Sequence, residues 1–112
     1  MSKLLIIDLR TPFHVKEFER VNSQFTFFNS FDFLIIAPNG LFLNGLKGKL
    51  FQYSFLPTSY ISIYYLWNFI KKVSKYSKAY NIIYICTAVN FGPLHDLLIN
   101  IIKISKGLLF ED

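Results

Sequence analysis

Residues 81–101 read NIIYICTAVNFGPLHDLLINI, and the fold turns on this stretch. Asn81 to Ala88 is the most apolar strand-like run of the chain, of strand rather than helix length. Asn90-Phe91-Gly92-Pro93 turns the chain, and Pro93 suits the first turn of a helix, where its missing N–H leaves no bond unmade. Leu94, Leu97, Leu98 and Ile101 then make one face of that helix, with Asp96, Asn100 and Lys103 opposite. Gly107 breaks the helix, and Leu108 to Phe110 starts another strand that runs out at Glu111 and Asp112. Two apolar strands joined through an amphipathic helix form a parallel βαβ unit.

The same alternation extends toward the N-terminus. Leu4 to Ile7 is a short apolar run closed by Asp8, the pattern of a strand covered on both faces. After Thr11 and Pro12, Val15, Phe18, Val21, Phe25 and Phe28 recur near helical spacing, with Lys16, Glu17, Glu19 and Arg20 on the other side. Phe33 to Ala37 is a second strand, ended by Pro38-Asn39-Gly40. Leu41 to Lys49 fits either a hairpin or an irregular loop. Leu50 to Leu56 is a third strand, and Pro57-Thr58-Ser59 opens a helix to about Tyr76, with a hydroxyl to cap its free amides. Apolar residues surround most of that helix, which predicts burial except near its lysine-rich end. The expectation is one domain over residues 1–112: a Rossmann-like, mostly parallel α/β sheet with flanking helices.

Composition agrees with a folded domain. Hydrophobic residues make up 53% and charged ones 17%, with 13 Phe and 7 Tyr, which excludes a disordered or low-complexity chain. Twelve basic against seven acidic residues give a net charge of +5, favouring anionic partners without naming one. Cys86 is the one cysteine, so no intrachain disulfide can form, and its apolar surroundings suit a buried, inert thiol. Lys3 precedes only Leu4 to Ile7 before Asp8, which does not read as a signal peptide and leaves a cytoplasmic location as the expectation. Leu50 to Ile70 is uncharged and long enough to span a bilayer. Gln52, Ser54, Pro57, Thr58, Ser59, Ser62 and Asn68 interrupt it, and a strand, turn and buried helix explain it better than a membrane span.

Several familiar sites fail on their chemistry. No G-x-G-x-x-G follows the first strand, so nothing supports a dinucleotide. Gly40 and Gly45 have the separation of a P-loop, yet Leu46 stands where its lysine belongs and no hydroxyl follows Lys47. His14 and His95 are isolated from any spaced carboxylate or thiol cluster, and no metal is expected. His95, beside Asp96, reads as solvated or structural; His14 could face a ligand.

In an open parallel sheet, ligands bind beyond the carboxyl ends of the strands. Those ends carry Asp8-Leu9-Arg10-Thr11, Asn39-Gly40, Pro57-Thr58-Ser59, Val89-Asn90-Phe91-Gly92 and Glu111-Asp112. Arg10, Thr11, Asn39, Thr58 and Asn90 are the candidate binding residues. Glu111 and Asp112 are the candidate acid–base pair, since a carboxylate past a buried strand can take a proton from a sugar hydroxyl. On an extended strand the two acids point opposite ways, so one faces the site. Lys71, Lys75 and Lys78, with Lys72 beside them, form a basic helical stripe suited to an anionic membrane surface or acidic glycan. Tyr76 and Tyr80 are too thin an aromatic complement for nucleic acid.

Lys49-Leu-Phe-Gln-Tyr-Ser-Phe-Leu-Pro-Thr-Ser, the aromatic helix Tyr60 to Ile70, Asn81-Ile-Ile-Tyr-Ile-Cys and Gly107-Leu-Leu-Phe-Glu-Asp together resemble the N-terminal half of bacterial GT-B sialyltransferases. The likeness is to the polysialyltransferase and capsule or lipooligosaccharide group. The resemblance implies inverting, metal-free transfer of sialic acid from CMP-sialic acid to a glycan acceptor, with no cofactor beyond that donor. A cytoplasmic location, peripheral at the inner membrane face through the Lys71, Lys72, Lys75 and Lys78 stripe, accompanies this expectation. Glu111 and Asp112 match the family's two acids, Asp112 by position the base; the glycine that follows them there lies past the last residue of this sequence. The family's donor-binding His-Pro and Ser-Ser/Thr motifs belong to a second, C-terminal domain, so the resemblance implies an acceptor-side domain, inactive alone. The alternatives are a small α/β binding or subunit-interaction module without catalysis, and a small single-span membrane protein.

Overall fold

A computed structural model of the chain describes residues 2–24, 26–43, 45–54, 63–87, 93–102 and 106–109. Its elements are β1 (Lys3–Asp8), α1 (Pro12–Gln24), a short 3-10 helix (Thr26–Ser30), β2 (Asp32–Pro38), β3 (Lys49–Tyr53), α2 (Ile63–Ser77), β4 (Ile82–Thr87), α3 (Pro93–Ile101) and β5 (Lys106–Leu109). They build a five-stranded sheet in the order β3-β2-β1-β4-β5. Every pairing is parallel, from Ile35↔Leu50 at one edge through Leu5↔Phe33 and Ile6↔Ile85 to Cys86↔Leu108 at the other. The expected Rossmann-like α/β architecture is what the chain adopts.

β1 explains why consecutive apolar residues read as a strand. Leu4 and Ile6 enter one core with Leu34, Ile36, Leu66, Ile70, Val73, Leu94 and Leu98. Leu5 and Ile7 enter the other with Val15, Phe18, Phe28, Ile35 and Cys86. The period of two sends alternate side chains to opposite faces, and helices cover both. α1 and the 3-10 helix pack on one face, α2 and α3 on the other. Stepping outward on opposite sides of β1 with helices on opposite faces gives every crossover one hand.

Residues 39–48 join two adjacent parallel strands, which excludes the hairpin reading of this stretch and leaves the irregular loop. Leu41, Leu43 and Leu46 tuck against the α1-side core, taking the place of a crossover helix. Gly48, at φ +144°, lets the loop pass over β2; a Cβ there would meet the carbonyl oxygen and Cβ of Phe33 at 2.8 Å.

Three expectations are corrected. α2 is not largely buried: Leu66, Phe69, Ile70, Val73 and Ser77 face the sheet, while Tyr64, Tyr65 and Trp67 stand in solvent. The helix has a single covering layer beneath it, so only one stripe can be buried, whatever its apolar content. In α3 the innermost row is Leu94, Leu98 and Ile102, an i, i+4, i+8 row that enters the core shared with the sheet and α2, and Ile101 turns outward. α1 ends at Gln24, and Phe28 reaches the core from the 3-10 helix, not from a continuing α-helix. β3 is described as Lys49–Tyr53 and α2 from Ile63; the expected strand end and helix start at 55–62 lie outside the described residues. Among the described residues no helix is long and apolar enough to cross a membrane.

Candidate functional site

The strand order reverses beside β1: its first crossover leads to β2, and β4 lies on its other flank. In such a sheet the crevice for ligands opens where the carboxyl ends of β1 and β4 part. β1 delivers Asp8 there, paired in register with Ile36 on one side and Thr87 on the other. Asp8 is on the even-numbered face, under α2 and α3. An ionised carboxylate in such a place needs partners.

Arg10 supplies them. Two residues on in extended chain, it lies on the same side as Asp8 and folds back over it. Its Nε–H donates to Oδ1 at 3.4 Å and its Nη2–H to Oδ2 at 3.1 Å. The two side chains are 10% and 0% exposed, so this is a nearly buried, two-pronged ion pair. Leu9 N–H extends the sheet by donating to the Ile36 carbonyl at 3.0 Å, which holds the Asp-Leu-Arg backbone straight.

The rim continues into α1. The Thr11 hydroxyl accepts from His14 N–H at 3.3 Å, the bond of an N-cap to the third helical residue. His14 Nδ1 accepts in turn from Arg10 N–H at 3.2 Å, which assigns the ring proton of neutral His14 to Nε2. Arg10, Thr11 and His14 are thus brought together by one tight turn. On the next strand, Asn39 N–H donates to the Tyr53 carbonyl at 2.8 Å, tying β2 to β3, while the Asn39 side chain is exposed.

Tyr53 ends β3 and is buried, its ring edge-on to Phe69 of α2 at 5.6 Å. Burial, with the negative charge of Asp8 added, pushes its hydroxyl above the usual tyrosine range, and Arg10 partly offsets this. Tyr53 therefore feels the ion pair from two strands away. On the first turn of α3, His95 is half-buried, and its Nδ1 is enclosed without a hydrogen-bond partner among the described residues. Of the two readings of His95, solvated or structural, the half-buried ring fits the structural one.

Of the sequence candidates, Arg10, Thr11 and Asn39 lie on this rim. Thr58, Asn90, Glu111 and Asp112 lie outside the described residues. Most of the charge of Arg10 is already answered by Asp8, so on this rim it presents directed N–H donors more than a free cation. Tyr53 and the Asp8–Arg10 coupling were not singled out from sequence. The available signal was an acid and an arginine two apart where a buried strand ends.

Other features carry less chemistry. Cys86 is buried on the α1 face, its thiol pushed up to about 12 by burial, too high for a nucleophile. Among the described residues no group of three or more His, Cys, Asp or Glu could hold a metal ion. A cavity of about 590 Å³ opens among the described residues at the opposite edge of the sheet, between Phe31, Asp32, Lys47, Gly48 and Tyr76. It sits at the amino ends of β2 and β3, away from the switch point and its polar groups. The rim has the stronger claim, because its polar groups are positioned by strand ends and a capped helix. No family model, curated protein or solved structure matches this chain, and the site rests on its geometry.

Proposed function

We propose that the chain is the acceptor-side Rossmann-like half of a glycosyltransferase resembling the CMP-sialic-acid-dependent sialyltransferases. One observation carries the reading: β5 lies parallel beside β4, with Leu109 in register with Thr87. The chain thus leaves β5 at the carboxyl rim, and Phe110, Glu111 and Asp112 are the next residues in sequence. An antiparallel β5 would have turned Leu109, its last described residue, to the other edge.

In this reading Asp112 accepts the proton of the acceptor hydroxyl. The hydroxyl oxygen bonds to the anomeric carbon of the sialyl group as the bond to the CMP phosphate oxygen breaks, and CMP departs with that electron pair. Arg10 and Thr11 orient the acceptor sugar from the end of β1 and Asn39 from the end of β2, with Thr58 and Asn90 as further contacts. The donor is held by a second domain across the cleft, which shields the reaction from water.

Amide chemical shifts of the 112-residue chain, titrated with sialylated oligosaccharide acceptors, test the binding half of the reading. Shifts gathered at residues 9–14 and 38–41 are expected; shifts confined to the amino edge, or none, overturn it. With the donor-binding half present, Asp112→Asn is expected to abolish transfer while CMP binding persists. Retained turnover removes Asp112 from the role of base.

A binding module without catalysis is the second reading, favoured by the two cores that cover both faces of the sheet within this one chain. It expects the same shift pattern and normal function with Asp112→Asn.

A further inference from the structure

α2 carries no acidic residue over its fifteen positions, and its outward face divides into two halves. The first half exposes Tyr64, Tyr65 and Trp67, at 71%, 66% and 45%. The second exposes Lys71, Lys72 and Lys75, with Lys78 just past the helix end. At about 100° per residue, Tyr64, Trp67, Lys71, Lys75 and Lys78 fall within an arc of roughly 80° and a length of about 21 Å. This arc lies opposite the buried row Leu66, Phe69, Ile70 and Val73. Lys72 and Lys75 also wall a recess of about 540 Å³ with Lys49, floored by Phe51, Tyr76 and Tyr80.

We propose that this face docks α2 flat on an anionic lipid surface. Tyr and Trp have apolar bodies and polar tips and settle at the headgroup level of a bilayer. Lysines beside them pair with lipid phosphates at an anionic surface. Charge complementarity selects the partner: lysines with no acid on the same helix repel a second copy of this face and favour a negative one. The proposal does not depend on glycosyl transfer.

Trp67 is the one tryptophan of the chain, so its fluorescence reports the docking directly. Vesicles of phosphatidylcholine alone are compared with equimolar phosphatidylcholine and phosphatidylglycerol. The proposal expects a blue shift and quenching by brominated acyl chains only on the anionic vesicles, both reversed by salt. Lys71→Gln with Lys75→Gln, its fold verified by circular dichroism, is expected to weaken partitioning roughly thirtyfold. Absence of a blue shift on anionic vesicles overturns the proposal, as does equal binding by the double variant. A Trp67 shift that follows protein concentration without lipid, with a dimer in sedimentation, also overturns it in favour of self-association.

Discussion

The carboxyl rim and the outer face of α2 hold charge in opposite ways. At the rim, Asp8 and Arg10 are nearly buried and answer each other through two hydrogen bonds. On α2, Lys71, Lys72 and Lys75 stand in water. A buried charge must be matched in place, because its desolvation exceeds what one loose contact returns. An exposed lysine is satisfied by solvent and stays available for a partner. The rim therefore fixes its charges in position, while the α2 face leaves its charges open to a partner.

The largest test of this difference is Asp8→Ala. It strands the Arg10 guanidinium in a nearly buried place and should cost about 3–5 kcal/mol in urea unfolding. Removing the exposed Glu17–Arg20 pair, which spans 2.9 Å on α1, should change stability by less than about 1 kcal/mol. If both cost the same, the rim pair is solvated and the contrast fails. Asp8→Leu with Arg10→Met should recover much of the loss, since apolar replacement of both partners leaves no orphan charge.

Cys86 shows what burial does without a partner: the group stays neutral. Its thiol rises from an ordinary 9.0 to about 12 through desolvation. The folded value is the higher one, so the unfolded chain loses its proton first as pH rises. The contribution is fully present below about pH 9 and is lost as pH rises toward about 12, at up to roughly 1.4 kcal/mol per pH unit. Tyr53 adds in the same direction above the usual tyrosine range. Unfolding free energies of wild type and Cys86→Ala across pH 8–11 should therefore converge as pH rises. Parallel curves would mean that the thiol is reached by water in the native state.

What could be read from sequence divides along similar lines. β1 and β4 were legible because strands covered on both faces must be apolar throughout, and Leu4–Ile7 and Ile82–Cys86 are. The rim was legible as a location, since turn residues mark strand ends. The inner partners were not: Asp8 meeting Arg10, and Tyr53 feeling both, depend on which strands become neighbours. α2 misled for the converse reason. Its Tyr64, Tyr65 and Trp67 have the composition of a core but face solvent, and composition does not say how many layers will cover a helix. The 39–48 connection was ambiguous because a loop with buried leucines has no period.

Gly48 tests the other edge of the sheet. An alanine there must hold φ near +144° and press its Cβ to within 2.8 Å of Phe33 backbone. The expected loss is about 1–3 kcal/mol in denaturant unfolding. A cost near zero would show that the loop shifts freely over β2. If the rim binds the acceptor as proposed, its shifts on titration should be unaffected, because Gly48 lies at the amino edge.

The smallest effect sharpens the comparison most. Thr11 caps α1 through a long, exposed bond of 3.3 Å to His14 N–H. Thr11→Ala should cost about 0.5–1 kcal/mol, the low end for a lost cap, and Thr11→Ser should restore it. The same turn sets the Arg10 N–H to His14 Nδ1 bond, and Arg10 holds Asp8. If the rim is a set of separate contacts, Thr11→Ala and Asp8→Ala costs add in the double variant to within about 0.5 kcal/mol. A larger shortfall would mean that cap, histidine, arginine and aspartate form one coupled network. A ligand engaging Thr11 would then be felt at the buried carboxylate.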